Sequence, residues 1–219
     1  MAKAPVIELH EIRHALKVAA VTGQTPLCDV ALLAVFYSTG LTSNEAAKLT
    51  VADYCAEDGG VRSDATVRAE IAFNGKSRPL LWANRRARES LDEYLRHRVS
   101  VRHGVSTARA AYRGLDPCSS LFLADDGTSF AFTRRFTRSG TASYSCETLT
   151  GILRRLHQQA GIERGNASAA RRSFAVLLHR QGRSLKLIQN LIGVSSLAAI
   201  KSLVDSDPVA LASIVRGVL

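Results

Sequence analysis

The chain has 219 residues, enough for one domain or two small ones with a substantial core. Hydrophobic residues make up 46%, yet no apolar run is long enough to span a bilayer, and Glu8, His10, Glu11 and Arg13 break up the first apolar stretch where a secretory signal would need continuity; the expectation is a soluble intracellular protein. The net charge is +10 and arginine outnumbers lysine by 23 to 6, which favours a polyanionic partner, nucleic acid foremost, because guanidinium suits planar, bidentate phosphate contact.

In chain order, Ile7, Ile12, Leu16 and Ala19 or Ala20 recur at helical spacing over residues 6–21, with Gly23 as a stop. Thr25-Pro26 opens a second helix, Thr25 as N-cap and Pro26 at the first helical position. Its sequence, LCDVALLAVFYST, is apolar almost all round, as in a buried core helix, and Gly40 ends it. A short helix follows from Ser43 to Leu49. Residues 65–73 (ATVRAEIAF) alternate polar and apolar like a strand, Asn74-Gly75 signals a type I′ hairpin turn, and 77–82 form the return strand. Residues 84–103 read as a helix with a dense Arg/His face. The pattern then weakens over 104–142, a candidate insertion, where only Leu121-Phe122-Leu123 suggests a short strand. Ser145 is placed to cap a helix over 146–160, and further helices are expected at 168–181, 185–192, 196–204 and 208–218, with Ser184 as a cap and Gly193 as a stop. The expected fold class is mostly α with a small antiparallel β-sheet (α+β). Cys28, Cys55, Cys118 and Cys146 are widely spaced and no histidine lies at metal spacing from them, so reduced thiols are expected, without metal or other cofactor.

Residues 168–208 read SAARRSFAVLLHRQGRSLKLIQNLIGVSSLAAIKSLVDSDP. Arg171, Phe174, Ala175, Leu178, Gly182, Ile188, Gly193, Ser195 and Ser196 stand, without a gap, where the C-terminal motif of the tyrosine recombinase (phage integrase) family places such residues. Upstream, Thr39, Gly40, Leu41, Glu45, Leu49 and Asp53 resemble that family's Thr-Gly-Leu-Arg segment and the element after it, and NGKSRPLLW resembles its β2–β3 hairpin. The resemblance covers about residues 5 to 208. It implies the fold of the family's catalytic domain in a single domain over 1–219. The separate core-binding domain that closes on DNA from the opposite side in the family is expected to be absent, so the chain would supply one jaw of a clamp.

The chemistry that the resemblance implies is mostly missing. The family uses a tyrosine to attack a phosphodiester, two arginines and a histidine to stabilise the phosphate charge, and a lysine to protonate the leaving oxygen. Those positions fall here on Leu203 (tyrosine), Thr42 and Arg171 (arginines), Ser168 (first histidine), Val194 (second histidine or tryptophan) and Phe73 (lysine). Only Arg171 keeps its type, Lys76 lies in the hairpin turn rather than at the lysine position, and no tyrosine follows Tyr144. Members of a catalytic group act as a unit, so the expectation is a chain without catalytic residues.

Double-stranded DNA is then the expected partner. Arg171 would sit at the old phosphate pocket, held by a phosphate or an internal carboxylate, with Arg172 beside it on another helical face. Arg134, Arg135 and Arg138 form the densest short basic cluster. Lys76 and Arg78 on the hairpin are placed to reach a groove or its phosphates. The helix near Ser145 would enter the major groove in this family, offering Ser145, Glu147 and Thr148, although Ser145 also serves as a plain N-cap. Arg85, Arg86, Arg88, Arg96, Arg98 and Arg102, interleaved with Glu89, Asp92 and Glu93, suggest a solvated helix face. Trp82 and the phenylalanines read as core. The leading expectation is a non-catalytic DNA-binding protein working at the nucleoid, regulatory or accessory to a plasmid or mobile element. Two others stand beside it: an active recombinase with an unrecognised nucleophile, and an interaction module that forms homo-oligomers through the apolar segment 208–219.

Overall fold

The computed structural model describes residues 3–108, 110–136 and 140–205. Among the described residues the chain forms eight α-helices and two separate two-stranded antiparallel sheets. The expected helix at 208–218 and Arg138 lie outside them.

The core is built around one helix. α1 (Leu9–Thr22) and α4 (Arg85–Ser100) pack against α2 (Pro26–Thr39). α1 carries its apolar residues on one stripe and buries Ile12, Ala15, Leu16 and Ala19. α2 is apolar all round and is buried along nearly its whole length, as a central helix must be. Pro26 opens it, but the Thr25 side chain makes no cap; instead the Asp29 carboxylate accepts from the Thr25 amide at 3.3 Å. Gly40 closes it in the left-handed conformation (φ 65°), and a Cβ there would lie 2.7 Å from the Phe174 ring. The short α3 (Ser43–Lys48) begins with a capping box: Thr42 Oγ1 accepts from the Glu45 amide at 3.2 Å, and Glu45 Oε2 accepts from the Thr42 amide at 2.8 Å.

The expected long hairpin over 65–82 is reduced to two pairs, β1 (Thr66–Val67) on β2 (Arg78–Pro79). Residues 68–75 fold into tight turns, with the Ile71 and Ala72 amides both donating to the Arg68 carbonyl. Two side chains divert this segment from pairing. Glu45 takes the Phe73 amide at 3.2 Å, and Asn74 accepts from the Lys76 amide at 3.0 Å while its amide group donates to the Gly193 carbonyl. Gly75 has a positive φ but Asn74 does not, so the turn is not type I′.

α4 stops at Ser100 rather than 103. Its basic face is not all solvated: Arg98 is 1% exposed and donates to Ser119 Oγ and to the carbonyls of His103, Ser120 and Leu121. It thereby ties down the irregular segment after the helix. Leu121, Phe122 and Leu123 are buried but form no strand; Leu123 makes a single bridge to Ser129. A second hairpin that sequence patterning does not reveal pairs β3 (Thr133–Phe136) with β4 (Ala142–Ser145).

α5 (Glu147–Gln159) comes next, with Cys146 at the N-cap, so Ser145 ends a strand rather than capping the helix. α6 (Ala167–Arg180), α7 (Leu185–Ile192) and α8 (Leu197–Val204) build a smaller cluster from Ala175, Val176, Ile188, Ile192, Ile200 and Val204. Ser184 caps α7 and Gly193 ends it in the left-handed region (φ 82°), as expected. Val194 and Leu203 pack against this cluster. Trp82 is core and donates to the Asp53 carbonyl at 2.9 Å. Among the described residues no single helix is long and apolar enough to cross a membrane.

Candidate nucleic-acid interface

Four of the six positions singled out by the motif converge. Thr42 at the start of α3, Phe73 in the turn after β1, and Ser168 and Arg171 in the first turns of α6 line one open cleft of about 570 Å³. Val194 and Leu203 are not among its lining residues; they serve the α6–α8 packing.

Beneath the cleft lies a buried ionic cluster. Glu45, fully buried, accepts from Arg78 Nη1 at 2.5 Å and Nη2 at 2.8 Å, in addition to Thr42 and the Phe73 amide. Burial works against ionisation of Glu45, but the Arg78 hydrogen bonds and charge outweigh it and hold the carboxyl below its usual range. Arg78 is therefore internal, not a DNA contact. Its side chain also donates from Nε to the Leu191 carbonyl at 3.1 Å, which joins β2 to the end of α7. Gly193 lets that contact form: a Cβ there would meet Arg78 Cδ at 2.6 Å.

Arg171 is the next layer out. It donates to the carbonyls of Gly40 at 2.6 Å and Ile192 at 2.9 Å, and lies 3.9 Å from Glu45. These carbonyls end α2 and α7, where helices leave acceptors unpaired and carry partial negative charge. Burial pulls the Arg171 pKa down to about 10, which still leaves a cation at neutral pH. Its guanidinium sits 4.6 Å from the centroid of the Phe73 ring, which is 49% exposed and faces the cleft. Arg172 points the other way, is 7% exposed and donates to the Leu203 carbonyl at 3.0 Å and to the Ala4 carbonyl. It ties α8 and the N-terminal segment to α6 and is a structural residue, contrary to expectation.

The rim carries accessible cations that the motif does not mark. Lys48, on α3, and Arg154, on α5, are exposed and line the cleft. The usable signal is helical spacing: Thr150 and Arg154 stand i,i+4 on α5, and both line the cleft. Asn44, also at the rim, donates to the Tyr144 carbonyl at 2.7 Å and accepts from the Cys146 amide at 2.9 Å, which fixes the β3–β4 hairpin beside the cleft. Arg134 and Arg135 are both exposed on that hairpin, in line with the sequence pattern. Ser145 Oγ donates to Glu147 Oε1 at 2.7 Å, and Arg135 pairs with the same carboxylate at 3.1 Å, so Glu147 anchors the hairpin to α5. Thr148 is exposed but belongs to a different concavity, near Asp29 and Arg155. Lys76 is exposed in its turn and does not line the cleft.

The helical core, with a cleft bounded by α3, α5 and α6, is the fold of the tyrosine recombinase catalytic domains. The chain matches the Phage integrase family over residues 5–207 and belongs to it. Among solved structures it is similar to the XerA recombinase (TM-score 0.70, 19% identity, 99% of this chain and 64% of that one). It is similar also to the XerH site-specific recombinase bound to palindromic difH substrate in a post-cleavage complex (0.65, 20%, 98% and 53%). A third match is the Tn1549 transposon integrase in complex with circular intermediate DNA (0.59, 15%, 99% and 65%). The chain thus spans about half to two thirds of the length of these proteins. No curated protein matches it in sequence.

Proposed function

We propose that the chain binds double-stranded DNA through the cleft and the adjoining β3–β4 hairpin, and that it does so without cutting the strand. One observation carries this reading: Thr42, Phe73, Ser168 and Arg171 are brought into one cleft, yet they include no tyrosine, histidine or lysine, the residue types the family uses to attack the phosphodiester, stabilise its charge and protonate the leaving oxygen, while Lys48, Arg154, Arg134 and Arg135 leave cations around it. Solved structures of similar fold hold DNA, which supports DNA as the partner. Tyr37, Tyr54 and Tyr94 are buried, and burial raises the pKa of each, which makes them poor substitutes for a tyrosine nucleophile. On this reading the chain serves a regulatory role or one accessory to a plasmid or mobile element.

The test is fluorescence anisotropy on a duplex at about 50 and about 200 mM salt, with log K expected to fall by about 0.9 per phosphate contact for each log unit of salt. A Lys48→Ala/Arg154→Ala variant should flatten that slope. In parallel, a nicked suicide duplex is mixed with the protein and resolved on a denaturing gel. A covalent protein–DNA adduct would instead establish an active recombinase; absent or salt-independent binding would refute the DNA reading.

A further inference from the structure

The β3–β4 hairpin is exposed on both faces. Every residue of β3 is exposed, as are three of the four in β4, and Asn44 and Glu147 anchor the hairpin to α3 and α5. A two-stranded hairpin with no covering layer has little stability of its own, so side chains along it gain nothing from core packing. Exposed aromatic rings are therefore out of place there, yet it carries two. Phe136 is 65% exposed and Tyr144 is 54% exposed.

The register decides where they point. Arg134 pairs with Tyr144 and Phe136 with Ala142, and residues two apart on a strand share a face. Arg134, Phe136, Ala142 and Tyr144 thus form one face, and Arg135 lies on the other, paired with Glu147. The Arg134 guanidinium carbon lies 4.7 Å from the centroid of the Phe136 ring. The aromatic face carries a cation and no carboxylate, in a chain of net charge +10, and Asn44 joins the hairpin to the rim of the cleft. Flat rings alternating with a guanidinium suit a nucleobase: the rings stack on its face, and the cation serves the base or its phosphate.

We propose that this face holds an unstacked base of DNA, at a bulge or a strand end, next to duplex bound in the cleft. The proposal rests on the DNA-binding reading above. Its partner is DNA with an accessible base, as opposed to a protein or a second copy of this chain, because the face pairs its rings with positive charge.

The experiment uses the full chain and three fluorescein-labelled DNAs: a perfect duplex, the same duplex with a single-nucleotide bulge of 2-aminopurine, and the corresponding single strand. The bulged duplex should bind about tenfold tighter than the perfect one, with quenching of 2-aminopurine emission on binding. Phe136→Ala/Tyr144→Ala should bring the ratio of bulged-duplex to perfect-duplex affinity down to about one and remove the quenching, and Phe136→Trp should keep both. The substituted side chains are exposed, so an unchanged melting temperature confirms that the variants fold. Equal affinity for bulged and perfect duplex, or a preference that survives the double substitution, would overturn the proposal and leave duplex binding intact. Failure to bind any of the three DNAs would overturn the DNA-binding reading and this one together. Sedimentation of the DNA-free protein as a dimer that the double substitution dissociates would assign the face to self-association and overturn the proposal.

Discussion

The ionic cluster under the cleft and the β3–β4 hairpin beside it are both rich in arginine, and they use it in opposite ways. Arg78 and Arg171 in the cluster, like Arg172 on another face of α6, are buried or nearly so, and their guanidinium groups donate to carboxylates and carbonyls of the chain itself. Arg134 and Arg135 stand in solvent. The difference shows that the charge of a composition is not the charge of a surface. A buried guanidinium must be matched internally, because taking an ion out of water costs several kcal/mol, and once matched it is a structural part of the fold. An exposed one costs nothing to keep and stays available to a phosphate.

Substitution breaks the two regions differently, and on folding stability the effects run from large to small. Glu45→Ala removes the only carboxylate against Arg78 among the described residues and leaves that cation buried; urea denaturation should show a loss of about 3–5 kcal/mol. Arg172→Leu leaves the Leu203 and Ala4 carbonyls without this donor, and should cost about 1–3 kcal/mol while duplex affinity measured on folded protein is unchanged. A reduced affinity with intact stability would return Arg172 to the DNA surface.

A third effect depends on pH. His157 is fully buried: Nδ1 lies 2.6 Å from the Leu153 carbonyl, which can only accept, so Nδ1 carries the proton and Nε2 accepts from the Tyr37 hydroxyl at 2.6 Å. Burial lowers the His157 pKa below its ordinary value near 6.5, even though the Leu153 bond works the other way. The unfolded chain therefore binds this proton more readily than the folded one. Its share of stability is complete above pH 6.5 and is lost as pH falls below it, at up to about 1.4 kcal/mol per pH unit. Melting curves between pH 8 and 5 on wild type and His157→Gln should show that slope only in the wild type. The smallest effect on stability belongs to Arg134→Ala/Arg135→Ala, within about 0.5 kcal/mol. The same pair should lower the slope of log K against log salt by about 0.9 for each phosphate that these arginines neutralise. A stability loss as large as that of Glu45→Ala would mean that the hairpin is structural, and the contrast between the two regions would fall.

How much of the fold is legible in the sequence depends on the range of the physics involved. Helices α1 to α8 follow from local causes: apolar spacing, Pro26 at a helix start, Ser184 as a cap, and Gly40 and Gly193 as left-handed stops. Four of the six positions that the family motif marks meet in space: Thr42, Phe73, Ser168 and Arg171 share the cleft although they are spread over about 130 residues of chain, while Val194 and Leu203 pack elsewhere. The 65–82 hairpin departs from its alternating pattern because its strands are shortened by partners far away in sequence, Glu45 holding the Phe73 amide and Gly193 receiving Asn74. The β3–β4 hairpin is invisible in the pattern because neither strand has a buried face, and without one there is no alternation to read.

Sequence alone therefore determined the helices, the helix stops, the family and the amount of positive charge. The proposal that catalysis is missing rests on the resemblance alone, which sets Thr42, Phe73, Ser168, Val194 and Leu203 at the positions the family uses for chemistry. Only the tertiary structure decided which arginines are spent inside and which remain outside. That choice depends on whether a carboxylate or a helix-end carbonyl from a distant segment arrives within hydrogen-bonding reach, and in this chain Glu45, Gly40 and Ile192 arrive at Arg78 and Arg171 but nothing buries Arg134.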